Sequence, residues 1–257
     1  KLHSENCRVF LQECVRLQLS GLTLNINAWL VSAWSQGLLG EVGFSCLEAL
    51  RSSLRYGLVE LTGCAAHHPI LPLLHPFESR RQMVLNSVIH ERLLLGGWSP
   101  AGFFPPELAF GHELPGLLET LGFRWCLSDD ASFGSLHGYV PTQKIPAIGK
   151  IGILLASRMW SNTLGGAFRE KQGVHRTLER FVRETEQWFR QSVGNDGHSR
   201  YLVLAFPRHY LSGNFIAAAA DFVQRLRDQH QWSVVHLSKL LDHFPIESME
   251  VPPGSWK

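Results

Sequence analysis

Leu22-Thr23-Leu24-Asn25-Ile26-Asn27-Ala28-Trp29-Leu30-Val31-Ser32-Ala33-Trp34-Ser35-Gln36-Gly37-Leu38 is the stretch on which the fold reading turns. Leu22–Ile26 carries the short aliphatic pattern of a strand, and Ala28–Leu38 the longer pattern of a helix. A strand feeding a helix at once is the opening half of a βαβ unit. In sheets that bind nucleotides this junction is rich in glycine, because the backbone must approach a phosphate closely. No GxGxxG follows Ile26, and no GxxxxGK[ST] occurs anywhere in the chain. The nucleotide-binding versions of an open sheet therefore lose support.

The same alternation continues along the chain. Further strands are expected at Leu58–Thr62, Ala101–Phe104, Phe123–Leu127, Lys150–Leu155, Tyr201–Phe206 and Ser233–Leu237. Helices are expected at Gly43–Arg55, Glu78–Leu95, Leu114–Leu121, Val174–Gln191 and Phe215–Gln229. The clearest is Val174–Gln191, where Val174, Leu178, Phe181, Val182, Trp188 and Phe189 fall near one helical face and charged or amide residues fill the other. Short apolar strands separated by helices fit either a doubly wound sheet or a closed barrel. With the phosphate motifs missing, the expected fold is α/β, a barrel in one domain over residues 1–257.

Composition bounds the function. The chain has 257 residues, with 45% hydrophobic and 18% charged residues and 24 Lys+Arg against 22 Asp+Glu. That balance is globular, and it offers no basic stripe for a phosphate backbone. Nucleic acid is not an expected partner. No run approaches the ~18 apolar residues of a membrane span, and the first residues lack the apolar core of a signal peptide. The five cysteines, Cys7, Cys14, Cys46, Cys64 and Cys126, are widely spaced and never form CxxC. They read as thiols of a reducing compartment, so a cytoplasmic location is expected.

In barrels of this kind the ligand site is built at the C-terminal ends of the strands. The residues found there are Asn25 and Asn27, then Glu60 with His67, His68 and His75, then Glu107, Asp129-Asp130, Arg158 with Asn162, and Arg208-His209. Packing alone explains such an alignment of polar groups poorly. Each nonetheless has a plainer alternative: Glu60 as a strand-face ion-pair partner, Asp129 or Asp130 as the cap of the next turn. Glu107 is the strongest candidate. Pro105 and Pro106 stiffen the approach to it, and Phe103, Phe104, Trp98 and Phe110 supply apolar surface of the kind sugars stack on. Its plainer alternative is a helix start, where Glu offsets the dipole.

Other chemistries fail on spacing. His67-His68 on extended backbone point to opposite sides, and neither HExxH nor HxxxH occurs in that run, so no metal site is expected there. One of the two histidines is expected to face the site. His90, His112, His137 and His230 are expected on the surface or as satisfied core residues. A GxSxG elbow is absent, and no cysteine has a nucleophile's setting. Carboxylate chemistry at an aromatic rim remains, which points to glycosidic bonds.

These residues resemble glycoside hydrolase family 57. Leu24-Asn25-Ile26-Asn27 is similar to the family's strand before its first helix, and Gly57-Leu58-Val59-Glu60-Leu61-Thr62-Gly63 resembles its G-x-[VI]-E strand. His68-Pro69-Ile70-Leu71-Pro72-Leu73-Leu74 resembles H-x-x-L-P-L-[LI], and Gly102-Phe103-Phe104-Pro105-Pro106-Glu107 resembles G-[FW]-[WF]-x-P-E. Arg158 through Phe168 and the pair Ser255-Trp256 are similar to later motifs. The resemblance implies an incomplete (β/α)7-type barrel, a retaining hydrolase or transglycosylase on α-glucans, and no cofactor. Carried over residue by residue, it implies Glu107 as nucleophile, with Glu60, His68, Arg158 and Trp256 contacting or framing an α-glucan or oligosaccharide.

The departures carry as much weight. Where the resemblance puts the general acid/base Asp, this chain has Pro207, in Phe206-Pro207-Arg208-His209. His209 is one substitute, titrating near pH 6–7 as an unperturbed imidazole does at about 6.5, and Asp129 or Asp130 reaching in from the next strand is another. The family's opening H-x-P strand and its C-terminal helical region are also missing, so the expectation is a barrel core lacking both flanks and its first strand. Two further readings stay open: a catalytically silent carbohydrate-binding barrel, and a metal-dependent deacetylase using Asp129, Asp130 and the His67-His68 pair. Oligomeric state is not legible.

Overall fold

The computed structural model describes residues 2–95, 98–170, 174–193, 199–207, 213–230 and 232–256. In chain order the elements are α1 (Leu2–Leu17), β1 (Leu22–Leu24), α2 (Ala28–Ser35), α3 (Glu41–Arg55), β2 (Val59–Leu61), α4 (Pro76–His90), β3 (Gly102–Phe103), α5 (Leu114–Thr120), β4 (Trp125–Asp129), α6 (Asp130–His137), β5 (Ile145–Ile148), β6 (Ile151–Ala156), α7 (Arg158–Glu170), α8 (Val174–Val193), α9 (Gly213–His230), α10 (Leu237–His243) and β7 (Ile246–Ser248).

The expected α/β alternation is present. β1 pairs with β2 in parallel, β3 with β4 and β4 with β6 in parallel, and a single parallel bridge between Gly63 and Phe103 joins the two sheets. β4 and β6 are buried along their whole length, as continuous apolar strands covered on both faces should be. Beyond β6 the parallel order passes to an extended segment through one bridge, Ala156 to Val203. Among the described residues the ladder then stops. Residues 233–237 run beside β1, where Leu237 N donates to Thr23 Oγ1 (3.0 Å), and where a Cβ on Gly21 would lie 2.3 Å from the Val234 carbonyl oxygen. The result is an incomplete barrel.

Tyr201–Phe206 and Ser233–Leu237 were expected as strands; the first is a segment with one isolated bridge, and the second is irregular up to Leu237, where α10 begins. Their backbone groups bond to isolated partners: Tyr201 N to Thr142 O (2.9 Å), Ala205 N to Ser161 Oγ (3.0 Å), Leu237 N to Thr23 Oγ1. Two strands escaped the sequence reading. β5 contains Pro146 and turns back on β6 as an antiparallel hairpin, and β7 is three exposed residues beside β5. The helix expected over Glu78–Leu95 stays α-helical to His90 and widens to a π turn over Glu91–Leu95.

Local chemistry explains the helix starts. Asn27 caps α2, its side chain accepting from Leu30 N at 3.0 Å, and Pro76 opens α4 behind His75. α8 buries Leu178, Phe181, Val182 and Thr185 while Arg180 and Glu184 pair on its outer face. Its aromatic side meets Trp160 and Phe168 of α7 and Phe222 of α9 in one cluster. α1 packs Phe10, Leu11 and Cys14 against α3 and Trp34. Among the described residues no helix is long and apolar enough to cross a membrane.

Candidate active site

Glu107 sits on a backbone that its sequence does not favour. Pro105-Pro106 leads into one 3-10 turn, Pro106–Leu108, inside which Glu107 has φ 58°, ψ 22° and Leu108 has φ 50°. Left-handed backbone costs an L residue about 1–2 kcal/mol, and side chains held there mark sites that the surroundings over-determine. The helix-start reading of Glu107 therefore gives way, since a left-handed residue opens no α-helix.

What holds the turn is the chain's far end. Gly254 pairs with Phe110 in both directions (2.8 and 3.2 Å), and Trp256 N donates to the Glu107 carbonyl at 3.0 Å. Arg158 Nη2 donates to the Trp256 carbonyl at 2.7 Å, and the Arg158 backbone N–H donates to Asp130 Oδ1 at 2.9 Å. Asp130, Arg158, Trp256 and Glu107 thus form one relay. Burial pushes the Asp130 carboxyl above its ordinary range, with the Arg158 N–H and Ser157 partly offsetting it.

The turn borders a cavity of 1470 Å³. It opens where, among the described residues, the barrel wall has no ladder, between β1 and the segments 199–207 and 232–236. Glu107, His68, Asn25 and Asn27 line it, so four of the residues expected at the strand ends meet there, joined by Trp256. His68 has φ 59°, and the Nε1 of Trp256 is buried with no hydrogen-bond partner. The aromatic surround differs from expectation. Phe104 is on the wall, but Phe103 and Phe110 are buried in a core cluster behind it, and Trp98 packs edge-on against His90 at 4.7 Å. Phe168, Phe181, Phe189, Phe215 and Phe222 of α7, α8 and α9 supply apolar wall instead.

The other candidates sit off the wall. Glu60 accepts from Thr23 Oγ1 (3.0 Å), Ser238 N (3.3 Å) and Ser238 Oγ, while Trp125 Nε1 donates to Ser238 Oγ at 2.8 Å. It clasps β2 to β1 and to the start of α10. Asp129 caps α6, accepting from Ser132 N (2.9 Å) and Ser132 Oγ (3.0 Å). His209 and Arg208 lie outside the described residues. His67 lines a separate recess and not the cavity; the two adjacent histidines part on a turn in which His68 is left-handed, not on the extended backbone expected. Among the described residues no three His, Cys, Asp or Glu side chains gather as a metal site.

Sequence reasoning missed Ser238, Thr23 and the helical phenylalanines. The spacing of Phe215 and Phe222 in α9 was visible, but which side of the barrel that face would cover was not. Glu186 also reaches the wall, paired with Arg190 at 3.3 Å. Glu107 and Glu186 are the carboxylates lining the cavity among the described residues.

The architecture is similar to that of several solved proteins. The 4-α-glucanotransferase of Thermococcus litoralis aligns with a TM-score of 0.68 at 14% identity, over 97% of this chain and 36% of that one. A GH57-type branching enzyme of Pyrococcus horikoshii aligns at 0.75 and 14%, over 99% and 67%. A protein described as a putative polysaccharide deacetylase of Mycobacterium smegmatis aligns at 0.66 and 14%, over 98% and 83%. The chain thus spans about a third of the glucanotransferase's length, and at such identities the likeness is one of fold. No curated protein sequence matches it. The model of glycosyl hydrolase family 57 matches residues 16–251, nearly the whole chain, and the chain belongs to that family.

Proposed function

We propose that the chain binds an α-glucan in the 1470 Å³ cavity and that Glu107 is the nucleophile of a retaining double displacement. The observation that carries this reading is the braced, left-handed Glu107 on the cavity wall beside His68 and Trp256. In the first step the carboxylate attacks the anomeric carbon, the glycosidic C–O bond breaks, and the departing oxygen takes a proton. In the second, the oxygen of water or a sugar hydroxyl attacks the same carbon, the ester C–O bond to Glu107 breaks to free the carboxylate, and the incoming hydroxyl gives up its proton to the group that protonated the leaving oxygen. The unpartnered Trp256 N–H suits a sugar hydroxyl. Glu60, Asp129, Asp130 and Arg158 frame the site from behind, holding β1, α6 and the Trp256 segment. The buried thiols fit the cytoplasmic setting expected from the sequence.

The proton donor decides between this and a second reading, a silent carbohydrate-binding barrel. Pro207 stands where the family resemblance puts an Asp, and both oxygens of Asp129 are committed to Ser132. Losing proton transfer costs about 10²–10⁴-fold, which slows the reaction without removing the nucleophile. A fluorinated glycosyl donor with a good leaving group needs little acid help. It is expected to leave a covalent adduct on Glu107, found by peptide mapping and lost in Glu107→Gln. If wild type binds malto-oligosaccharides but is never labelled, the silent barrel replaces the enzyme.

A further inference from the structure

Behind the 65–68 turn lies a second, smaller recess. Along α2 and its C-terminal cap Gln36, the residues Trp29, Ser32, Ala33 and Gln36 fall at i, i+3, i+4 and i+7, and so share one face. That face, with Ala66 and His67 from the turn and Ile89 from α4 opposite, walls a cleft of 210 Å³. Trp29 is 58% exposed, although Trp34 on the same helix is fully buried. The recess is below the roughly 300–1,000 Å³ of a drug-sized site, and its size suits a single small ring.

Its chemistry is that of sugar recognition. One large flat apolar surface lies open, with a hydroxyl (Ser32), an amide (Gln36) and an imidazole (His67) around it, and no charged side chain among the residues that line it. Such an indole face covers the C–H side of a pyranose, while groups at its edge reach the hydroxyls. His67 is held in place from behind, since Gln82 Oε1 meets both its backbone N (3.1 Å) and its Nδ1 (3.3 Å), and Gln82 Nε2 is fixed by Glu78 at 2.9 Å. The location adds a second argument. His67 faces this cleft and His68 faces the Glu107 cavity; Asn27 lines that cavity, and Trp29 two residues later lines the cleft. The two recesses share one turn and one helix start.

We propose that the Trp29 cleft is an auxiliary glucosyl site that holds a remote ring of a long α-glucan whose reacting part lies in the Glu107 cavity. This rests on the α-glucan reading above. It predicts a dependence on chain length: polymers engage both recesses, and short oligosaccharides only the larger one, because linked sites gain effective concentration.

The test is affinity electrophoresis of the whole chain through gels containing glycogen, alongside calorimetry with maltotetraose. Trp29→Ala is expected to weaken glycogen retardation about tenfold, as loss of one aromatic anchor does, and Gln36→Ala to weaken it less. Maltotetraose affinity should stay unchanged in both. Tyr56→Ala, which removes an exposed aromatic (67%) that does not line the cleft, should leave glycogen binding at the wild-type level. Glycogen retardation of Trp29→Ala equal to wild type overturns the cleft while leaving the α-glucan reading intact. So does a wild type that binds maltotetraose but is not retarded by glycogen. A wild type that binds neither overturns both.

Discussion

Replacing Arg158 by Met tests whether the terminal segment braces Glu107. The substitution keeps the length and apolar stem of the side chain, and the backbone N–H that bonds Asp130 is untouched. Only the 2.7 Å bond from Nη2 to the Trp256 carbonyl is deleted. A hydrogen bond from a charged donor contributes about 1.5–3 kcal/mol. Trp256 N–H is protected by its bond to the Glu107 carbonyl, and Phe110 N–H by its bond to Gly254. If the segment opens as a unit, the free energy of that opening falls by the same 1.5–3 kcal/mol, and both amides exchange about 10- to 150-fold faster. Native-state hydrogen exchange read by mass spectrometry or NMR measures this directly. Amides of β4 and β6 should stay unchanged, since their ladder does not involve the segment. Trp256 and Phe110 exchange within twofold of wild type would refute the brace, whatever happens to activity.

Three further outcomes follow from the geometry. Gly102→Ala would place a Cβ 1.9 Å from the indole of Trp125, which is fully buried and tied to Ser238, so a loss of about 3 kcal/mol or more is expected. At ~2–4 °C per kcal/mol for a chain of this size, the melting midpoint falls by roughly 6–12 °C, whereas Gly116→Ala, with open space around it in α5, should be neutral or stabilising. His90 is fully buried, and burial lowers its pKa to about 4, with the Asn27 and Ile26 backbones working partly against that. The unfolded chain takes up this proton near pH 6.5 and the folded one only near 4, so stability is lost as pH falls through that window, by up to ~3 kcal/mol. Urea midpoints of wild type and His90→Gln should therefore converge between pH 6.5 and 4; a constant gap would show that His90 stays uncoupled from folding. Glu107→Gly should lose activity yet keep its unfolding free energy, from urea titration, within about 1 kcal/mol of wild type, because relief of the left-handed backbone offsets glycine's entropy.

How much of this was legible depended on where each residue's partners lie. α8 could be read because its period is internal to one helix. β4 and β6 could be read because continuous burial needs only a run of apolar side chains. β5 was hidden by Pro146, which argues against a strand paired on both sides as β5 is by β6 and β7, and β7 by being exposed throughout. α1 carries a usable signal that was passed over: Cys7, Phe10, Leu11 and Cys14 fall at i, i+3, i+4 and i+7. Tyr201–Phe206 has the composition of a strand because it lines a large apolar cavity, and its backbone bonds go to Thr142 and Ser161, which no local pattern announces. The distinction between Glu60, locked among Thr23 and Ser238, and Glu107, on the cavity wall, is likewise tertiary.

The backbone of Glu107 shows why the motif was easier to find than its geometry. Among the described non-glycine residues, positive φ occurs at Gln18, His68, Glu107 and Leu108. Three of these four line the same cavity. Local propensity places none of them there, and prolines before Glu107 and after His68 stiffen the flanks without setting a left-handed residue between. The conformation persists because Phe110 and Gly254 pair across the turn and Trp256 holds the Glu107 carbonyl, contacts that span about 150 positions of sequence. The motif residues and the residues that strain them into place are therefore separate parts of the chain, and a variant can lose the second while keeping the first. An intact G-F-F-P-P-E motif is then insufficient evidence for activity in a chain whose Gly254–Trp256 segment is altered. Arg158→Met makes that separation measurable because it leaves every motif residue around Glu107 in place.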